Sequence, residues 1–239
     1  MDNNIEEKLK NLEEWNEERR RIKPVIDVAV DFHNKARTEA RWKNYEQAAN
    51  FYRKAIKNYK TALSLHPRYY FQDILDRVDY IIEEHVNNAF NLKISGEKLK
   101  TEGGIREFVE FLDNLKPEEK RYIDPYDIAH VFLRVGDLYY EERDLEKAYR
   151  FYNRAIESNC DRPFVNREAY FKSARILFDQ KRYKEALVSF VSVLSFDREN
   201  KEVISHIEDC LSRLGISEHR RKFLAATPKD ARKLIMEVL

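Results

Sequence analysis

Between Pro24 and Pro67 the apolar positions fall three and four residues apart. Ala48, Tyr52 and Ala55 carry the spacing once, and Ala55, Tyr59 and Ala62 carry it again. At 3.6 residues per turn this sets small, aromatic and small side chains on one face of a helix, twice in succession. Seven residues are about two turns, so both registers share that face. The spacing predicts a helix over 45–65, about two turns longer than a single copy of the pattern needs. Pro67 ends it, having no amide to donate and holding His66 away from the helical region. A long partner helix is expected from Pro24 to about Trp42, with "WKNYEQA" supplying the turn. Strand-like alternation bounded by Asn-Gly or Asp-Gly is absent.

The same order returns further along. "FLRVGDLYYEERDLEKAYRFYNRAI" (132–156) aligns with "YFKSARILFDQKRYKEALVSFVSVL" (170–194) at a constant offset of 38 residues. Gly136 falls on Ala174, Tyr139 on Leu177 and Leu145 on Tyr183. Ala148 falls on Ala186, Tyr152 on Phe190 and Ala155 on Val193. Each segment reads as two helices joined by a short turn, "EERD" or "DQKR". The small residues lie where paired helices approach closely, and the aromatic one turn later fills the groove toward a neighbour.

This small–small–aromatic–small order resembles the tetratricopeptide repeat, a family of antiparallel helix pairs. Ala36, Tyr45, Ala48, Tyr52 and Ala55 fit the same pattern. The resemblance implies an all-α fold: a tetratricopeptide-like superhelix of antiparallel helix pairs with an elongated first pair and C-terminal capping helices. The expected organisation is a charged amphipathic helix at 1–23, an elongated first pair at 24–67, and a divergent pair with a loop insertion at 68–124. Repeats follow at 125–162 and 163–200, then capping helices at 201–239. Within the divergent part, "FQDILDRVDYIIEEHVNNAFNL" predicts one long helix. "KISGEKLKTEGG" predicts a loop most flexible at Gly103-Gly104, and "IREFVEFLDNL" a short helix ended near Pro117. Gly215 stands where the helix "EVISHIEDCLSRLG" should stop, and Thr227, Pro228 and Asp230 form a helix-start signature.

Composition agrees and narrows the function classes. Hydrophobic residues are 43% and charged residues 36%, with only 5 Gly and 6 Pro, the balance of a helical chain with a core. A net charge of +1 from 44 basic and 43 acidic residues argues against a nucleic-acid partner, which requires a basic excess. The short run from His219 to Lys222 reads as a solvated face. Cys160 and Cys210 have no paired spacing and read as reduced thiols of a cytosolic protein. The charged N-terminus shows no apolar signal region, and no stretch approaches a membrane span. A cytoplasmic protein without direct membrane insertion is expected, barring an anchor or leader outside this sequence.

Candidate chemistry is sparse. His33, His66, His85, His130, His206 and His219 form no metal-ligand spacing, and neither cysteine has a histidine at ligand distance in sequence. No phosphate-binding glycine loop or GxSxG elbow occurs. No catalytic residue, metal or cofactor is assigned, and the chain is not expected to be an enzyme.

In the family it resembles, the first helix of each pair lines a concave groove that holds an extended peptide or a partner's helix. Carried onto this sequence, that face comprises His33, Arg37 and Arg41, then Leu133, Asp137, Tyr140 and Glu141, then Phe171, Arg175 and Phe178. Aromatic anchors beside guanidiniums suit a segment with apolar side chains flanked by acidic groups. The competing reading packs Phe171 and Phe178 against the facing helix and leaves the arginines solvated. One family subset clamps the acidic tail of heat-shock chaperones with Lys and Asn in successive turns. Here those turns hold His33 and Arg37, Leu133 and Asp137, and Phe171 and Arg175, so that role is not expected. A second surface is the stripe Ile5, Leu9, Leu12 and Trp15, which suits a partner, a second copy forming a homo-oligomer, or the chain's own first pair. The expected function is a protein–protein scaffold or adaptor binding one or more proteins or peptides in the groove. Family analogy suggests a bacterial multi-protein assembly of secretion or flagellar type. The alternative is a regulatory module that binds a short signalling peptide in the groove, with 93–104 as a lid.

Overall fold

The computed structural model describes residues 2–158, 160 and 162–239. They form twelve α-helices, in two compact units of residues Met1–Ile123 and Asp124–Leu239.

Unit 1 begins with α1 (Asp2–Arg41), a helix of 40 residues that runs through Pro24. The sequence reading divided the chain at 23/24, and the fold does not break there. Pro24 lies on the solvent side, so the Arg20 carbonyl it leaves unbonded is on a wet face. Ile22 and Ile26, buried on either side of it, hold the helix straight onto the core. A tight turn leads to α2 (Tyr45–Ser64), which at 20 residues exceeds the second helices of the later pairs, 13 and 12 residues long. Both registers of the doubled pattern are used: Ala48, Tyr52, Ala55, Tyr59 and Ala62 are all buried, with Ile74 and Ile81 of α3 (Phe71–Ile94) against them.

Glu18 of α1 joins the two ends of this layer. Its buried carboxylate accepts from the amides of Arg68, Tyr69 and Tyr70 at 2.7, 2.8 and 3.1 Å, at the start of α3. The N-terminal segment therefore folds onto its own first pair from about Asn11 onward, where the Tyr69 hydroxyl donates to the Asn11 carbonyl at 3.4 Å and Arg68 meets Glu14 at 3.0 Å.

The segment expected to be a flexible loop is tied down. A single 3-10 turn at Lys98–Lys100 buries Leu99, and Lys98 Nζ donates to the Leu92 carbonyl at 3.0 Å. Gly103 and Gly104 lie in the first turn of α4 (Glu102–Asn114), where Thr101 accepts from the Gly104 amide. A Cβ on Gly104 would collide with the Lys98 carbonyl. That glycine serves close approach rather than mobility. Phe90 of α3 meets Phe108 of α4 edge to face at 5.8 Å, and α5 (Pro117–Lys120) closes the unit.

Unit 2 contains the two clear repeats: α6 (Pro125–Glu141) with α7 (Leu145–Glu157), and α8 (Pro163–Asp179) with α9 (Tyr183–Leu194). Then α10 (Lys201–Leu214), α11 (Arg220–Ala225) and α12 (Pro228–Val238) follow. The core runs from Ala174, Leu177, Ala186 and Phe190 to Ile207, Leu211, Phe223, Ala231 and Ile235, so the last helices cover the apolar face the repeats would otherwise leave open. Gly215 ends α10 in the left-handed region at φ 73°, and Thr227 caps α12 by accepting from the Asp230 amide at 3.2 Å.

Candidate functional site

Each clear pair places a small residue opposite an aromatic sixteen positions later: Ala36 with Tyr52, Gly136 with Tyr152, and Ala174 with Phe190. All six are buried. Gly136 is the tightest, since a Cβ there would collide with the Tyr152 ring. What the aromatic reaches beyond this contact differs from pair to pair, and that difference shapes the candidate binding faces.

In unit 1 the Tyr52 hydroxyl points at Glu84 of α3, at 3.5 Å. His33 Nε2 lies 2.6 Å from the same carboxylate and Arg37 Nε 3.2 Å from it. Burial alone would raise the Glu84 pKa. The hydrogen bond and charge of His33, with Tyr80 and Arg37, outweigh it and hold the group below the ordinary carboxylate value. Tyr52 is pushed well above the usual phenol value by burial and by the Glu84 charge, so it remains a donor. His85, beside Tyr52, is lowered by burial and then by Arg53.

Beyond this network opens a polar pocket of about 490 Å³, lined among others by Arg37, Arg41, Tyr45, Tyr80, Asn87 and Asn91. Asn87 and Asn91 are one turn apart on α3 and face the arginines of α1. Arg41 is exposed and makes no ion pair with any described residue. Of the three residues the sequence placed here, Arg41 is available to a ligand. His33 is buried, and Arg37 is already engaged with Glu84 and with the Tyr80 ring.

In unit 2 the Tyr152 hydroxyl donates to Asp137 Oδ1 at 2.8 Å, and Lys172 of α8 reaches both Asp137 oxygens at 2.7 and 2.9 Å. Burial, then the Asp137 hydrogen bond, push the Tyr152 phenol far up. Leu133 lies in the core and Tyr140 is half-buried. The third pair has no hydroxyl at the aromatic position; Phe190 stacks instead on His206 of α10 at 4.8 Å and 8°. Phe171 and Phe178 close around the same imidazole, at 6.0 and 5.8 Å. These two phenylalanines pack against the next helix, and Arg175, exposed, lies over the Phe171 ring at 6.0 Å. On another face, Tyr149, Ile156, Val188, Ile235 and Met236 line an apolar groove of about 590 Å³.

The family comparison coincides with the three pairs built around these aromatics. The tetratricopeptide repeat profile matches residues 32–65, 129–159 and 168–200. These three segments are tetratricopeptide repeats. No curated protein matches the chain. Among solved structures, a crystal structure of MamA is similar at 14% identity, covering 82% of this chain and 96% of that one with a TM-score of 0.38. A second MamA crystal structure has 14% identity, coverages of 91% and 97%, and a TM-score of 0.36. A MamA point mutant has 18% identity, coverages of 88% and 94%, and a TM-score of 0.37.

The repeat reading missed the residues supplied by the following helix in each case: Glu84, Asn87 and Asn91 from α3, Lys172 from α8, and His206 from α10. A faint signal existed for the first group, because "EEHVNNAFN" places polar residues at 84, 87 and 91, on one helical face. Cys160 and Cys210 are both buried and free. Burial pushes the Cys210 thiol up to about 12, which leaves it unreactive. No helix among the described residues is long and apolar enough to cross a membrane.

Proposed function

We propose that this chain is a non-enzymatic scaffold that holds a segment of a partner protein in the polar pocket of its first repeat. Tetratricopeptide repeats bind protein partners, and the observation that carries the reading here is the pairing of Arg41 with Asn87 and Asn91 across that pocket. An exposed guanidinium without an internal ion pair suits a carboxylate. Side-chain amides, each both donor and acceptor, suit the backbone of an extended segment. Because Glu84 already fixes His33 and Arg37, the walls are formed before a ligand arrives, which lowers the ordering cost of binding.

The test is a crosslinking pull-down from native lysate with wild type, Arg41→Glu and Asn87→Ala/Asn91→Ala. Substituting Arg37 would disturb the Glu84 network, so it is the wrong probe. The expected result is a stoichiometric protein captured by wild type and lost in both variants at unchanged melting temperature. Capture that survives both variants would remove this pocket from consideration.

A further inference from the structure

α1 is 40 residues long and α2 only 20, so α2 can flank one half of it. The buried residues of α1 begin at Glu18. Before that point Ile5, Leu9 and Leu12 are 58%, 56% and 53% exposed. At roughly 100° per residue these three share a narrow stripe. It lies about 100° around the helix from the line of Ile22, Ile26, Ala29, His33 and Ala36 that faces the unit's own core. The stripe therefore points sideways, toward neither α2 nor α3.

Its spacing of four then three is a coiled-coil seam, with Ile5 and Leu12 at one seam position, Leu9 at the other, and Asn16 next in line. We propose that residues 5–16 of α1 pair with the same segment of a second copy as a short parallel two-stranded coiled coil. Charge decides the occupant and its direction. In a parallel pair Lys8 of each copy flanks the partner's Glu13, giving two opposite-charge contacts across the seam. In the antiparallel register that sets Leu9 opposite the partner's Leu12, Glu6 of each copy would face the partner's Glu13, two like-charge contacts, and Lys8 would lose its acidic partner. Asn16 meets its own counterpart only in the parallel register, the use of a seam asparagine that fixes register and strand number. Past Asn16 the seam position falls on Arg19, beside Arg20 and Lys23 on the rim of a shallow hollow. Two such basic clusters repel, so the coil stops there. With three apolar side chains per copy, the dimer is expected to be weak and concentration-dependent rather than obligate. It would present two partner pockets on one particle and raise avidity for a repetitive partner. This inference does not depend on what the pocket binds.

Sedimentation of the full chain over a concentration series tests it. The expected mass rises from 28.8 kDa toward twice that value, and Leu9→Glu holds it at the monomer. Glu13→Lys should weaken association by about tenfold, the loss of two flanking charge pairs. Adding Lys8→Glu to Glu13→Lys should restore it. Under oxidation, Leu12→Cys should crosslink to its counterpart, since both native cysteines are buried. Helical circular dichroism reports whether each variant folds; the altered side chains are exposed, so it should not change. A monomer at every concentration, a dimer indifferent to Leu9→Glu, or a charge swap that fails to restore association would each overturn the proposal.

Discussion

Lys43, Arg143 and Lys181 occupy one position in three turns, and all three have positive φ, 61°, 66° and 62°. The surrounding bonds repeat as well. The amide of the left-handed residue reaches back three residues, and the next amide reaches back five, as in Asn44 to Glu39 (2.9 Å), Asp144 to Tyr139 (2.9 Å) and Arg182 to Leu177 (2.9 Å). This is the helix stop that glycine usually serves, made here with long basic side chains that carry a left-handed penalty of about 1–2 kcal/mol. Lys181→Gly should therefore stabilise the protein, by about 0.5–1 kcal/mol once glycine's greater freedom in the unfolded chain is subtracted. The urea midpoint would rise accordingly. The opposite holds at Gly136. Gly136→Ala drives a methyl into the Tyr152 ring, which is buried and fixed by Asp137. Overpacking of this kind costs about 1–3 kcal/mol, visible as a lower thermal midpoint.

At the scale of elements, Glu18 shows how a side chain outside the repeat fixes the repeat's surroundings. The loop after α2 ends in three amides, of Arg68, Tyr69 and Tyr70, that precede α3. One carboxylate from α1 satisfies all three, at a helix end where negative charge is favoured. Glu18→Gln keeps the size and removes the charge and part of the acceptor capacity. The expected loss is about 1–3 kcal/mol. Amide exchange at 68–70 should accelerate, while exchange in α6 and α7 should not. Equal acceleration in both places would mean a global effect and would sink the assignment. The same contact explains why α1 passes through Pro24 without ending. Packing on both sides of the proline, at Glu18 and Ile22 before it and Ile26 after it, outweighs one missing hydrogen bond on a wet face.

At the scale of the molecule, the two units can be followed separately because both tryptophans, Trp15 and Trp42, belong to unit 1. Unit 1 also contains two groups with lowered pKa values, His85 and Glu84. For each, the unfolded chain binds protons more readily than the folded one. The stability that His85 contributes is whole above its unfolded value of about 6.5 and falls as pH drops toward its folded value. Glu84 adds a second loss as pH falls from the ordinary carboxylate range through its depressed value. The thermal midpoint from tryptophan fluorescence should therefore drop steadily below about pH 6.5. His85→Gln should flatten the upper part of that slope. An unchanged slope in the variant would exclude His85 as its source.

The sequence alone determined the helix pairs, because small–aromatic–small spacing is a local constraint. Two helices can approach only where Ala36, Gly136 or Ala174 leaves room, and the 38-residue offset announces the unit of repetition. Stop and start signals such as Gly215 and Thr227 were readable for the same reason, since capping is settled within a turn. The candidate face was legible only by halves. Arg41 followed from helical phase, whereas Asn87, Asn91 and Glu84 lie some fifty residues away in a stretch without repeat character, and only packing brings α3 against α1. Tertiary structure likewise decided that Phe171 and Phe178 surround His206, and that Gly104 closes on the Lys98 carbonyl instead of loosening a loop. It also decided that Pro24 sits inside a helix. In each case a local preference met a contact from a distant segment, and burial or hydrogen bonding outweighed it.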